Sequence, residues 1–163
     1  MRILITGGTG FLGKNIVNYF KSVNLANPHL TYSVMPLGSN VYDLRDNYAC
    51  KKALQHYNPD VVVHAAGSVG GIGANKENPG KFMYENLIMG TNLIHQAMKY
   101  GVPKFVLLGT VCAYPKHTPV PFKEENLWNG YPEETNAPYG IAKKTLMRLV
   151  EAYHEQYDFN GVN

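Results

Sequence analysis

Tyr139 and Lys143 stand four residues apart. On a helix that spacing puts both side chains on one face. A free phenol titrates near about 10, too high for easy proton exchange at neutral pH. An adjacent ammonium stabilises the phenolate and lowers that value. The pair is then an acid/base for interconverting a carbonyl and an alcohol. The hydroxyl of Thr110 is a further hydrogen-bond partner for the same oxygen. Tyr-x-x-x-Lys is a weak motif by itself, so the surrounding elements have to decide it.

The element that supports it most is at the amino terminus. Arg2-Ile3-Leu4-Ile5-Thr6 reads as a short strand, and a helix is predicted from Phe11 to about Val23. Between and into them run Gly7, Gly8, Thr9, Gly10, Phe11, Leu12 and Gly13. Glycines at 7, 10 and 13 suit a tight turn, close approach of backbone to a pyrophosphate, and close helix–strand packing. The helix start offers free N–H groups to phosphates. A second strand is predicted over Tyr32–Pro36, and no Asp or Glu ends it; the first acidic residue is Asp43. A carboxylate at that strand end is the usual partner of an NAD ribose. Its absence favours NADP over NAD. The following loop, Leu37 to Asn40, holds no arginine, which leaves Arg45 as the substitute. Asp43-Leu44 is predicted to open a helix to about Tyr57, with Asp43 as N-cap and also in reach of an adenine amino group.

Asp60 to Ala66 is a continuous apolar run, as a parallel strand covered on both faces requires. Ala65, Ala66 and Gly67 at its end are small enough for a flat ligand to lie on the backbone. His64 is expected to be a satisfied core histidine, and Cys50 a buried packing residue. Ser68 to Asn75 is too glycine-rich to be expected as an element; it lies where open α/β sheets bind ligands. A long helix is predicted over Pro79–Tyr100, started by its proline and stopped by Gly101. Asn86 and Asn92 fall at semi-buried positions of it. Lys104–Leu108 is the fourth strand, which puts Leu108, Gly109 and Thr110 at a carboxyl end. A long proline-rich loop from Tyr114 to Ala137 is expected to be functional. The last helix, about Pro138 to Tyr157, carries Tyr139 and Lys143.

Strands alternating with helices imply an α/β fold, a Rossmann-type doubly wound parallel sheet. Four strands are few, and a fifth should begin at Gly161, so an open sheet edge is expected. The length, 163 residues, suits one dinucleotide-binding domain spanning 1–163. A net charge of +3 without a Lys/Arg stripe gives no sign of nucleic-acid binding. Two cysteines, Cys50 and Cys112, form neither a metal spacing nor a disulfide framework and suit a reducing compartment. No run is long enough for a membrane span. A soluble, cytoplasmic protein is expected.

These residues resemble the extended short-chain dehydrogenase/reductase family. The general likeness rests on Gly7-Gly8-Thr9-Gly10-Phe11-Leu12-Gly13, His64-Ala65-Ala66, and Thr110 with Tyr139 and Lys143. Val69-Gly70-Gly71-Ile72 with Ala74-Asn75, Cys112-Ala113-Tyr114-Pro115-Lys116, and Thr135-Asn136 are similar to its NADP-dependent epimerase–reductases of GDP-linked keto-sugars. The resemblance implies a GDP-sugar substrate and leaves open a homodimer. It implies that Tyr139 protonates a ketone oxygen, that Lys143 binds the nicotinamide ribose, and that Thr110 stands where the family usually has Ser. It makes Cys112 an acid/base of epimerisation; a thiol with a free pKa of about 8.5 is easily tuned for that. It also implies that the chain covers the first half of such an enzyme, truncated before its later strands and substrate domain, with the partner His of epimerisation beyond Asn163. Two alternatives remain: another NAD(P)-dependent nucleotide-sugar epimerase or dehydratase, and a non-catalytic dinucleotide-binding piece that needs a partner chain.

Overall fold

The structure, a computed structural model, describes Met1–Asn163. Its elements are β1 (Arg2–Thr6), α1 (Phe11–Ala26), β2 (Ser33–Leu37), α2 (Asn47–Tyr57), β3 (Val61–His64), α3 (Ile72–Glu77), α4 (Pro79–Tyr100), β4 (Lys104–Leu107), α5 (Ala137–Tyr157) and β5 (Gly161–Val162). All strand pairings are parallel, in the order β2-β1-β3-β4-β5. The chain reverses its winding direction between β1 and β3. That is the topological switch point at which open sheets of this kind bind ligands, beyond the carboxyl ends of the strands.

Alternation along the strands sorts the core into two layers. Leu4, Val62, Phe105 and Leu107 face α2, α4 and α5, and pack with Leu54, Leu93, Ile94, Leu146 and Val150. Ile3 and Ile5 face the other way, onto Val17 of α1, with Ile16 and Phe20 beside it. One layer is thus closed by three helices and the other by α1 alone, and Val61 and Val63 stay only half-buried. Pro36 sits in β2 without cost because β2 is an outer strand, where a missing N–H breaks no ladder.

The fifth strand expected to begin at Gly161 is present: Gly161 and Val162 pair with Phe105 and Val106. Two expectations are corrected. The helix expected from Asp43 starts at Asn47, and its N-cap is Asp46, whose carboxylate accepts from the Tyr48 N–H at 2.8 Å. The two aspartates competed for one cap; Asp43 is taken by Arg45 instead. The glycine-rich stretch after β3 does form an element, the short α3, because Asn75 Nδ2 donates to the Gly70 and Gly71 carbonyls at 2.9 and 3.2 Å. No helix is long and apolar enough to cross a membrane.

Candidate active site

The amino-terminal turn is built by contacts only glycine permits. Gly7 has φ +66°, and a Cβ there would lie 2.8 Å from the Ala66 backbone. A Cβ on Gly13 would sit 2.1 Å from the Gly7 carbonyl oxygen, so α1 packs directly on the turn it follows. Gly10 ends the turn as N-cap of α1, and no acidic residue occupies the first helical turn. The helix therefore presents unpaired N–H groups with nothing nearby to repel a phosphate. Gly8 behaves differently from its neighbours. It is buried against Pro36 and the Ile5 carbonyl, so it supports the turn and does not line the groove.

Thr6 stitches this turn to the end of β3. Its hydroxyl bonds His64 Nδ1 at 2.7 Å and accepts from the Ala66 N–H at 3.3 Å. Burial holds His64 neutral, with its pKa pulled down to about 3, and the ammonium of Lys143 adds to that effect. The histidine is a structural strut, as its place inside an apolar strand suggested. Asn86 of α4 does the same for the next segment: it accepts from the Ser68 N–H at 3.0 Å and donates to the Ser68 carbonyl at 2.7 Å. The strip Ala65-Ala66-Gly67 is thereby held flat beside the glycine turn.

Two cavities open along this strip and share Gly7, Gly10, Ala66 and Gly67. One, about 330 Å³, continues past Thr9 to Ser39, Asp43, Leu44, Arg45 and Glu85. The other, about 320 Å³, is lined by Phe11, Leu12, Gly13, Ala65, Leu108, Gly109, Tyr139 and Lys143. Two chambers joined over a glycine turn match two nucleosides joined by a pyrophosphate, so the residues present fit a dinucleotide. Except for Gly8, every residue expected to bind cofactor lines one chamber or the other.

Tyr139 and Lys143 reach the second chamber from one face of α5. Gly140 lets them do so. A Cβ there would be 2.1 Å from the Cys112 carbonyl oxygen, so the single 3-10 turn Val111–Ala113 lies directly on the start of α5. That contact brings Thr110 and Cys112 beside Tyr139. The Thr110 hydroxyl accepts from the Cys112 N–H at 3.3 Å and faces the phenol. Thr110 also borders a third cavity with Tyr114, Glu124, Leu127 and Trp128, of about 630 Å³. Glu133 anchors the approach to α5 by accepting from the Thr135 and Asn136 N–H groups at 3.2 and 3.3 Å. Lys144 lies over the Trp128 ring, 4.6 Å from its centre, and ties the long loop to the same helix.

The electrostatics depart from expectation. Burial raises the Tyr139 phenol above its ordinary value, and the hydroxyl of Thr110 offsets only part of that. Lys143 falls to about 8, also through burial. The expected lowering of the phenol by the ammonium is not found; burial disfavours the charged form of each group. A phenol kept protonated is still the form that delivers a proton.

Residues that sequence reasoning did not single out are Ser39, Tyr42, Glu85 and Met89 in the first chamber, whereas Ser68, Glu124, Leu127 and Trp128 lie on the two loops expected to bind ligand or be functional. Glu85 and Met89 come from α4, far along the chain from the turn, and no local signal marks them.

Residues 3–163 match the model of the NAD dependent epimerase/dehydratase family. The GDP-L-colitose synthase of Yersinia pseudotuberculosis is 38% identical over 151 residues, 93% of this chain and 47% of that protein. The GDP-L-fucose synthase of Sinorhizobium fredii is 36% identical over 162 residues, 99% of this chain and 49% of that one. The crystal structure of a GDP-L-fucose synthetase from Naegleria fowleri bound to NADP superposes with a TM-score of 0.86 at 32% identity, covering 99% of this chain and 51% of the other. The chain spans about half the length of the curated relatives it matches.

Proposed function

The chain belongs to the NAD dependent epimerase/dehydratase family, and from that premise we propose that it is the cofactor-binding and proton-transfer half of an NADP-dependent epimerase–reductase acting on a GDP-linked 4-keto-6-deoxy sugar. The observation that carries this reading is the continuity of the groove from the glycine turn to Tyr139 and Lys143. Relatives named for GDP-sugar synthesis support the substrate class.

The reduced nicotinamide, when bound, supplies the hydride that adds to the ketone carbon. Gly7, Gly10 and the first turn of α1 would hold the pyrophosphate, and Ala65, Ala66 and Gly67 would give it a flat wall. Tyr139 gives its phenol proton to the ketone oxygen as the carbon–oxygen double bond becomes single. The phenolate left behind is stabilised by the Thr110 hydroxyl and the Lys143 ammonium, and takes a proton back from solvent. Lys143, with a pKa of about 8, still carries its charge at neutral pH for this purpose. Cys112, half-buried on the turn after Thr110, is the group of this chain that takes a proton from carbon beside the ketone. Carbon acidity there comes from the adjacent carbonyl.

The test is oxidation of NADPH by GDP-4-keto-6-deoxymannose, with Tyr139→Phe as the control. Turnover that the Phe variant retains in full removes the assigned role. Deuterium exchange from solvent into C3 and C5 of the sugar, lost in Cys112→Ala, tests the epimerase half. Dinucleotide binding without turnover, restored by adding a separate carboxyl-terminal chain, favours the partner-chain alternative.

A further inference from the structure

We infer that the ribose end of the first chamber discriminates weakly between a 2′-hydroxyl and a 2′-phosphate, so that the chain takes NAD(H) and NADP(H) with similar affinity; this rests on the dinucleotide reading above. Two devices separate these nucleotides: a free carboxylate for the ribose hydroxyls, and a free cation for the phosphate. The chamber has both residue types, and each is engaged with the other. Arg45 Nε donates to the two Asp43 carboxylate oxygens at 3.0 and 3.1 Å, and its Nη2 donates to Oδ2 at 2.7 Å. Its remaining terminal nitrogen, Nη1, donates to Glu85 Oε1 at 2.9 Å. Arg45, the substitute cation that the sequence suggested, is thus already paired with two carboxylates.

What lies at the end of β2 is neutral. Gly38 and Ser39 line the chamber with Thr9. A Cβ on Gly38 would meet Asn40 Oδ1 at 2.7 Å and Thr9 Oγ1 at 3.0 Å, so two polar, uncharged side chains crowd this point. No lysine lines the chamber. Its charged residues are Asp43, Glu85 and Arg45, two carboxylates against one guanidinium, a net charge of −1. A 2′-phosphate, at about −1.5 to −2, would have to draw Arg45 off partners that already neutralise it. A 2′-hydroxyl finds hydrogen-bond partners in Ser39 and Thr9 but no free carboxylate. Neither nucleotide meets the group that would favour it strongly.

Calorimetric titration of the chain with NADP+ and NAD+, repeated with 2′-phospho-ADP-ribose and ADP-ribose, measures this without turnover. The expected dissociation constants agree within about tenfold for each pair. A preference beyond tenfold in either direction overturns the inference, and if it favours NADP+ the proposed function still stands. Failure of both dinucleotides to bind overturns both readings. Ser39→Arg, at an exposed loop position, should move the ratio toward NADP+ by at least about tenfold, because it adds the missing free guanidinium. No movement would put the ribose elsewhere and sink the idea. Arg45→Ala should weaken both nucleotides by a common factor; selective loss of NADP+ would show that Arg45 does read the phosphate.

Discussion

The two chambers of the groove share a floor of glycine and alanine, yet they handle charge in opposite ways. The first is open, and its charges neutralise one another: Asp43, Arg45 and Glu85 form a chain of ion pairs with side chains 41%, 49% and 17% exposed. Arg45 holds the Asp43 carboxyl below its usual range, and the Ser68 hydroxyl does the same for Glu85. The second has no carboxylate to answer Lys143, whose own side chain is buried. There burial dominates, lifting Tyr139 against the partial offset of the Thr110 hydroxyl and lowering Lys143. A binding chamber can spend exposed charge on screening and pairing. In the proton-transfer chamber desolvation brings Lys143 toward neutral pH and takes the Tyr139 phenol away from it, so the phenol rests as the protonated donor.

The largest effect should come from the second chamber. Tyr139→Phe is expected to lower kcat for ketone reduction by about 10²–10⁴-fold, with dinucleotide affinity nearly unchanged. Asp43→Asn in the open chamber should do the reverse, acting on nucleotide affinity and sparing kcat. Steady-state kinetics beside calorimetry separates the two; equal losses in kcat would erase the contrast. The shared floor comes next. Gly13→Ala places a Cβ 2.1 Å from the Gly7 oxygen and should cost about 1–3 kcal/mol of stability in urea unfolding, with weaker nucleotide binding.

A smaller effect sharpens the electrostatic half. Lys143 has a folded pKa of about 8, whereas an unfolded lysine keeps its proton to about 10.4. Between those values the unfolded chain binds more protons, so stability rises with pH, by at most about 1.4 kcal/mol per unit. Lys143→Met should remove that rise. Comparing urea midpoints of the two proteins at pH 7.5 and pH 9.5 checks it, and parallel curves would mean the ammonium is not desolvated. Smallest of all is Glu85→Gln. Its ion pair is exposed on the Arg45 side and screened, so the thermal midpoint should not move measurably. A clear drop would show that the open chamber is held together by charge after all.

The parts of the site readable from sequence were those set by short-range geometry. Gly7, Gly10 and Gly13 sit within one turn and one helical start, so their spacing reports their contacts directly. Tyr139 and Lys143 are one helical turn apart, and Pro79 and Gly101 mark the ends of α4 by backbone chemistry alone. Errors arose where two nearby residues offered the same service. Asp43 and Asp46 both qualified as N-cap, and the choice depended on Arg45 and on Glu85 from α4. α3 was hidden because the bonds that hold it come from one side chain, Asn75, and not from composition. Gly8 looked like its neighbours, and only the position of β2 turns it away from the groove.

The sequence by itself determined the order of the elements, the glycine turn and the face of α5 that carries the phenol and the amine, because each depends on residues within a turn or two of one another. Tertiary structure decided which groups those residues meet. It set Glu85 against Arg45 across 40 positions of chain, laid the Cys112 turn on Gly140, and buried Lys143 fully and Tyr139 in part. Proton affinities are set by that burial: desolvation and charge act through space, and spacing along a chain does not record them.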